Sequence, residues 1–477
     1  MIGEMAWLVG IAAAALEVAG IAAAIHAVMS ARTSQGAVAW AISLVTIPYI
    51  SLPLYFVLGR NKFRGYIDAR RSGDERVAEY IRSFREQFNY IVPIEGWTRS
   101  YEKVLESLSR LPFSDYNRTR LLVDGPETFG AIFRGIEEAE EYILVQFFIV
   151  KDDSLGRDLK DRLVRKAREG VRVSFLYDEI GCHKLPASYL DDLRAGGVQV
   201  SAFGTRRGHL NRFQINFRNH RKIVVTDGKK AYVGGLNVGD EYMGRSPKFG
   251  RWRDTHLEIE GPAVMGVQVT FVEDWHWATG EIPKLSWKAW KGRDEGAHVL
   301  VLPTGPADRL ETCALFFSES INRAKERVWI ASPYFVPDSQ IMTSLQLAAL
   351  RGVDVRIMLP GKPDHLLIYL SSFSYIKQLE PVGVKFYRYQ SGFLHQKVIV
   401  VDDQVAGVGT ANLDNRSFRL NFEITMVVVD KDFAAGTAAM LEEDFANCCR
   451  VHAGDYDGRP FWFKMAVQTS RLMAPIQ

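Results

Sequence analysis

The chain opens on two nearly continuous apolar runs, Ala6 to Met29 and Ala37 to Leu58, separated by the short polar stretch Ser30 to Gly36. A hydrocarbon core of about 30 Å needs roughly 20 helical residues, and each run meets that length. The pattern therefore predicts a transmembrane helical hairpin over 1–59; a secretory signal would be shorter and end at a small-residue cleavage site. The basic residues Arg60, Lys62, Arg64, Arg70 and Arg71 follow the second run, against Arg32 alone in the connecting loop. That bias predicts both ends of the hairpin, and the body of the protein, on the cytoplasmic side. Trp7, Trp40, Tyr49 and Tyr55 are candidate interface anchors. Glu17 should not face lipid and is expected either to be buried against another helix or to line a polar path near a lipid headgroup, while Pro48 and Pro53 interrupt the second run.

Beyond a charged, helix-like linker over 60–114, apolar strands alternate with amphipathic helices, and the alternation occurs twice. Glu141 to Val150 (EYILVQFFIV) is echoed by Arg327 to Val336 (RVWIASPYFV), Glu169 to Asp178 (EGVRVSFLYD) by Arg351 to Pro360 (RGVDVRIMLP), and GVQVSAF from Gly197 by GVKFYRY from Gly383. A period near 180 residues is too long for a solenoid and indicates a duplicated α/β domain. The expected halves are 115–285 and 286–455, related by a pseudo-twofold with a site between them. A C-terminal amphipathic segment over 456–477 could lie on a membrane or pack on the core.

Composition narrows the classes. The 477 residues include 59 basic and 56 acidic side chains, 47% hydrophobic and 12% aromatic residues, which excludes a disordered chain. A net charge of +3 disfavours a dedicated nucleic-acid binder. Cys182, Cys313, Cys448 and Cys449 lack zinc-like spacing and read as reduced thiols.

The chemistry lies in a repeated polar spacing. His220, Lys222 and Asp227 in HRKIVVTD are matched by His395, Lys397 and Asp402 in HQKVIVVD; seven residues after each aspartate stands a glycine, Gly234 or Gly409, and ten after it an asparagine, Asn237 or Asn412. The β-branched run after each lysine reads as a strand, in which alternate residues share a face, so each histidine points with its lysine. Two histidines, two lysines and two asparagines meeting across a pseudo-twofold would surround a tetrahedral anion, a phosphate site.

These paired His-x-Lys-x4-Asp motifs resemble the phospholipase D superfamily. RTSQGAVAW, YFVLGR, SPYFVPD and GTANLDNRSFRLNFE further resemble its bacterial cardiolipin synthases. The superfamily serine is absent: Gly235 and Thr410 stand in its place. The resemblance implies transfer of a phosphatidyl group from one phosphatidylglycerol to another, through a phosphohistidine, giving cardiolipin and glycerol. No metal or other cofactor is expected. By position His220 is taken as nucleophile and His395 as acid-base, an assignment the near-symmetry leaves open. Lys222, Lys397, Asn237 and Asn412 would hold phosphoryl oxygens. Asp227 and Asp402 belong to the catalytic motif, where they would brace the strand turns or partner a lysine, and Glu423 and Asp254 are candidates for orienting the histidines.

The basic stretch Arg206, Arg207, His209, Arg212, Arg218 and Arg221 precedes His220 in a loop about eleven residues longer than its counterpart, and is a candidate headgroup contact. Expected partners are phosphatidylglycerol and an anionic bilayer, with no nucleic acid and a possible homo-oligomer, at a bacterial inner membrane with multi-pass topology. Competing readings are a membrane-bound phospholipase D or other phosphodiesterase, and a non-catalytic scaffold binding anionic lipid. The metal-dependent CDP-alcohol route would need an arginine where DGKKAY has Tyr232.

Overall fold

A computed structural model describes residues 2–59, 62–63, 65–70, 98–204, 216–288, 290, 292 and 296–477. The chain divides into two compact units, 1–68 with 205–217, and 69–204 with 218–477.

In the first unit, α1 (Ile2–Ser30) is the one described helix long and apolar enough to cross a membrane. The second apolar run differs from the expected span. It forms two short helices, α2 (Ser34–Thr46) and α3 (Pro48–Leu58), broken at Ile47, whose backbone leaves the helical region (φ −140°, ψ 59°). Pro48 causes the break, because it has no N–H to continue the ladder and disfavours the helical conformation at the residue before it. Ser51 Oγ donates to the Ser43 carbonyl at 2.8 Å across the bend.

The contacts give the direction of each piece. Gly20 approaches Leu44 and Pro48 so closely that a Cβ there would lie 2.4 Å from the Leu44 carbonyl oxygen. Tyr55 then bonds His26 Nδ1 at 2.7 Å and packs on Trp40 at 5.1 Å between ring centroids. Thus α2 descends beside the C-terminal half of α1 and α3 climbs back, so the chain leaves at the end of α1 that carries Ser30. Tyr55 is buried by these contacts, whereas Trp7 and Tyr49 are exposed. Glu17 is also exposed rather than packed against another helix.

In the second unit each half carries a central parallel set extended by an antiparallel hairpin. Tyr142–Phe147, Arg172–Asp178 and Gln199–Phe203 lie parallel, with Ile223–Thr226 and Lys230–Gly234 beyond the first of them. Arg327–Ala331, Asp354–Pro360 and Lys385–Tyr389 repeat the set, with Val398–Val401 and Val405–Gly409. The opening strands Ser114–Val123 and Ala297–Thr304 pair antiparallel, Ser114 opposite Val299, and join the two sheets. Fully buried strand faces suit the continuous Val, Ile and Leu runs of the sequence.

His298 clasps this junction. Its Nδ1 lies 2.7 Å from Asp115 Oδ1 and its Nε2 3.4 Å from Glu102 Oε1, with Phe113 stacked at 4.6 Å. Burial opposes the charged ring, but the bonds to Asp115 and Glu102 outweigh it and raise the pKa from 6.5 to about 9. A folded-state pKa above the unfolded one gives stability that is full below about pH 6.5 and is lost as pH rises through about 9. The interval corresponds to roughly 3 kcal/mol. Chemical denaturation of the wild type between pH 6.5 and 9.5 is expected to show a loss of that order, and His298→Gln to flatten it.

The C-terminal helix Phe461–Leu472 packs Phe463 and Val467 against Phe373 and leaves Phe461, Trp462, Met465 and Leu472 exposed.

Candidate functional site

Two short strand exchanges build the centre. Arg218–Asn219 runs parallel to Asn421–Phe422, and Phe393–Leu394 parallel to Trp252–Arg253. As a result His220 N–H donates to the Phe422 carbonyl at 2.9 Å, and His395 N–H to the Arg253 carbonyl at 2.8 Å. Each histidine thereby sits beside the acidic residue that follows, and the pairing crosses between halves. His220 Nδ1 lies 2.9 Å from Glu423 Oε2, and His395 Nδ1 lies 2.8 Å from Asp254 Oδ2. An Nδ1–H donated to a carboxylate leaves Nε2 as the nitrogen with a lone pair.

The departures from the serine pattern follow from these carboxylates. A Cβ on Gly235 would lie 2.0 Å from Asp254 Oδ1, so the carboxylate already occupies the place a serine would need. In the other half Thr410 Oγ1 donates to Glu423 Oε2 at 2.6 Å, and Ser417 Oγ and Asn421 Nδ2 bond Glu423 Oε1 at 2.8 and 3.1 Å. The hydroxyl thus holds the acid. Ser417 and Asn421 carry no motif signal of their own, although their place in GTANLDNRSFRLNFE, just ahead of Glu423, points to them.

Burial dominates the electrostatics. It pushes His220 down to about 4, with Glu423 opposing and Lys222 and Lys397 adding to the fall. His395 lies well below its ordinary value through burial and the charges of Lys397 and Lys222. Lys222 is likewise well below 10.5, and Lys397 is lowered to about 8, both by burial. Glu423 stays below the usual carboxylate range because His220, Lys222 and Thr410 outweigh burial, whereas burial raises Asp254. Both rings are therefore neutral near pH 7, Lys397 at about 8 keeps its charge there, and among the described residues no acid is bonded to either lysine. The site stores positive charge that a bound anion would complete.

Asn237 and Asn412 are both buried, in different surroundings. Asn237 accepts from the Ile149 N–H at 3.1 Å and donates to Tyr242 Oη at 3.2 Å. The Asn412 side-chain oxygen is buried with no hydrogen-bond partner among the described residues, a feature expected of a group that meets a ligand.

Asp227 and Asp402 stand apart from this centre. Each lies at the far end of a four-residue strand from its lysine, about 16 Å along an extended chain. Both take φ of 53°. Asp227 accepts the N–H groups of Glu140, Glu141 and Tyr142, each at 2.8 Å, and Asp402 those of Lys325, Glu326 and Arg327 at 3.2, 2.8 and 3.0 Å. They brace turns and are not among the groups gathered at the histidines. Asp227→Ala would strand three donors and is expected to cost about 3 kcal/mol. Thermal unfolding should register that loss, while turnover per folded molecule stays within a few-fold.

Of the basic stretch, Arg206, Arg207, His209 and Arg212 lie outside the described residues. Arg218 is half-buried and lowered to about 10 by burial and by Arg416, with Asp178 opposing. Arg221 is no headgroup contact: it is buried, with Nη1 2.8 Å from both oxygens of Asp274 and Nε 3.0 Å from the Glu423 carbonyl. It supports the strand that carries Glu423.

Comparison with known proteins gives the family. The family described as cardiolipin synthase, PLD-like domain, matches residues 132–266 and 317–447, and the phospholipase D-nuclease N-terminal family matches 18–60. Cardiolipin synthase A of Pseudomonas syringae pv. syringae (strain B728a) is 49% identical over 461 residues, 96% of each chain. Cardiolipin synthase A of Pseudomonas aeruginosa (strain LESB58) is 49% identical over 472 residues, 98% of this chain and 96% of that one. The crystal structure of a phosphatidylserine synthase from Haemophilus influenzae Rd KW20 superposes with a TM-score of 0.60 at 15% identity, covering 79% of this chain and all of that one, a likeness of fold. With two phospholipase D-like repeats around a crossed histidine centre, and near-half identity along almost its whole length, the chain belongs to the cardiolipin synthase family of the phospholipase D superfamily.

Proposed function

We propose that the protein is a phosphatidyltransferase that condenses two phosphatidylglycerol molecules into cardiolipin and glycerol. The crossed His220–Glu423 and His395–Asp254 pairs, buried with Lys222 and Lys397 and within electrostatic range of one another, carry this reading. The substrate phosphodiester is a monoanion, and Lys222 and Lys397 would balance its charge and that of the pentacoordinate transition state. His220, neutral at physiological pH, attacks phosphorus through Nε2. The phosphorus–oxygen bond to glycerol breaks, and His395, protonated in the substrate-bound state by the added negative charge, delivers its proton to the departing oxygen. The neutral His395 then takes the proton of a hydroxyl on a second phosphatidylglycerol. That oxygen attacks phosphorus, the bond to His220 breaks, and His395 is again protonated. Ester replaces ester, so no nucleotide enters the balance.

The test uses purified full-length protein in detergent–phosphatidylglycerol micelles with label in the headgroup. Cardiolipin and free glycerol should appear one for one. Phosphatidic acid without cardiolipin would mean a hydrolase, and cleavage of nucleic acid without lipid turnover would mean a nuclease.

The same reading places the body at the cytoplasmic face of the membrane, with α1 crossing once and α2–α3 entering and leaving on that side. It is supported by charge, since Arg32 and the Arg60–Arg71 cluster then flank one end of α1 and the segment before Trp7 has no Lys or Arg. In cells carrying Cys449→Ser, a cysteine at Gly3 is expected to react with a membrane-impermeant maleimide and one at Arg32 to be protected. Two full spans would give the reverse pattern.

A further inference from the structure

The two halves are not equivalent beside their histidines. In the repeat, Phe148 corresponds to Tyr334 and Cys182, four residues beyond Asp178, to Asp364, four beyond Pro360. The first half thus offers an apolar wall: Phe148 lies edge-on to His220 at 5.0 Å, and Cys182 is buried with its thiol on the Phe148 carbonyl at 3.4 Å. The second half offers a polar pair, in which the Tyr334 hydroxyl donates to Asp364 Oδ2 at 2.6 Å. Asp364 Oδ1 accepts the His365 N–H at 2.8 Å.

This carboxylate is within electrostatic range of the reaction centre. Its charge acts on both His395 and Lys397. Tyr334 is anchored by the strand that follows it, since Phe335–Val336 runs parallel to Leu413–Asp414, directly after Asn412. Tyr334 and Asp364 line one cleft with His365, Ser372 and Arg388. Among the described residues no lysine or arginine makes an ion pair with Asp364; its one ionic neighbour is the exposed His365, at 3.8 Å. The side chain is 19% exposed, and each oxygen accepts one bond where it could accept two. Burial, with the Asp364 charge, pushes the Tyr334 phenol well up, so it remains a donor.

A partly open carboxylate with spare acceptor sites fits hydroxyl groups, which donate to it, better than phosphate oxygens, which do not. We propose that Tyr334 and Asp364 form a recognition site for the polyol headgroup, binding the non-reacting hydroxyl of glycerol next to His395. This rests on the transferase reading and deepens it. The hydroxyl whose bond to phosphorus breaks or forms exchanges its proton with His395, while its neighbour on the same glycerol donates to Asp364. The apolar Phe148–Cys182 wall has no equivalent group for a polyol. The leaving and entering alcohols therefore share the His395 side, which leaves His220 as the nucleophile.

The test compares two acceptors on purified full-length enzyme: labelled glycerol exchanging into phosphatidylglycerol, and ethanol giving phosphatidylethanol, which has no second hydroxyl. In Asp364→Ala the glycerol-to-ethanol ratio of kcat/KM should fall by about tenfold or more, chiefly through the KM for glycerol, because a site built to bond a hydroxyl discriminates by that bond. Tyr334→Phe, which keeps the ring and loosens the carboxylate, should shift the ratio the same way by a smaller factor. An unchanged ratio in both variants, or equal loss with both acceptors, would overturn the recognition site. Absence of both lipid products in the wild type would instead defeat the transferase reading, so the two failures are separable.

Discussion

His220→Asn is expected to abolish cardiolipin formation, with kcat falling by about 10⁴-fold or more, since the covalent route loses its nucleophile and no neighbouring group can replace it. Asparagine keeps a donor near the position of Nδ1, so the buried Glu423 is not left alone and the variant should stay folded. Thermal unfolding checks that point alongside the transfer assay. His395→Asn should also stop turnover, but for a different reason. It retains the nucleophile and removes the acid-base, so any slow attack leaves the phosphatidyl group on the protein.

The second large effect concerns the carboxylates. Glu423→Gln keeps size, turns one of the two oxygens that accept from Thr410 on one side and from Ser417 and Asn421 on the other into an NH2 donor, and removes the charge that stabilises His220 as phosphorus bonds to it. A loss of roughly 10²- to 10⁴-fold in kcat/KM is expected, with binding of phosphatidylglycerol changed far less. The pH profile separates this from a simple protonation effect. In the wild type His220 titrates at about 4, so the acid limb of kcat/KM should fall near that pH rather than near 6.5. Glu423 raises the His220 pKa, and its neutralisation must move the limb lower still. The variant's deficit should therefore persist across neutral and alkaline pH. A limb that moved up in the variant, with a deficit that vanished as pH rose, would contradict this role.

The parts of this molecule that repeat were readable in its sequence. The doubled strand pattern and the two His-x-Lys spacings located both sheets and the residues that meet between them, because a period of two fixes which side chains share a face. What repeats imperfectly was harder to read. Glu423 and Asp254 could be guessed as partners of histidines, yet the crossing between halves depends on two-residue parallel pairings that have no local pattern. Gly235 looked like a missing hydroxyl and proved to be space already filled by Asp254. Asp227 and Asp402 belong to the motif but lie a full strand from the histidines, where they hold the turns. Hydropathy alone could not distinguish a span from a bent pair, and Pro48, noted as an interruption, turns the second run back along α1.

The account stands most directly on which atom carries the phosphatidyl group. Intact-protein mass spectrometry of His395→Asn after incubation with phosphatidylglycerol, followed by peptide mapping under alkaline conditions that preserve phosphoramidates, should find a phosphatidyl adduct on His220. No adduct on any histidine, or an adduct at position 395 in wild-type protein quenched during turnover, would contradict it.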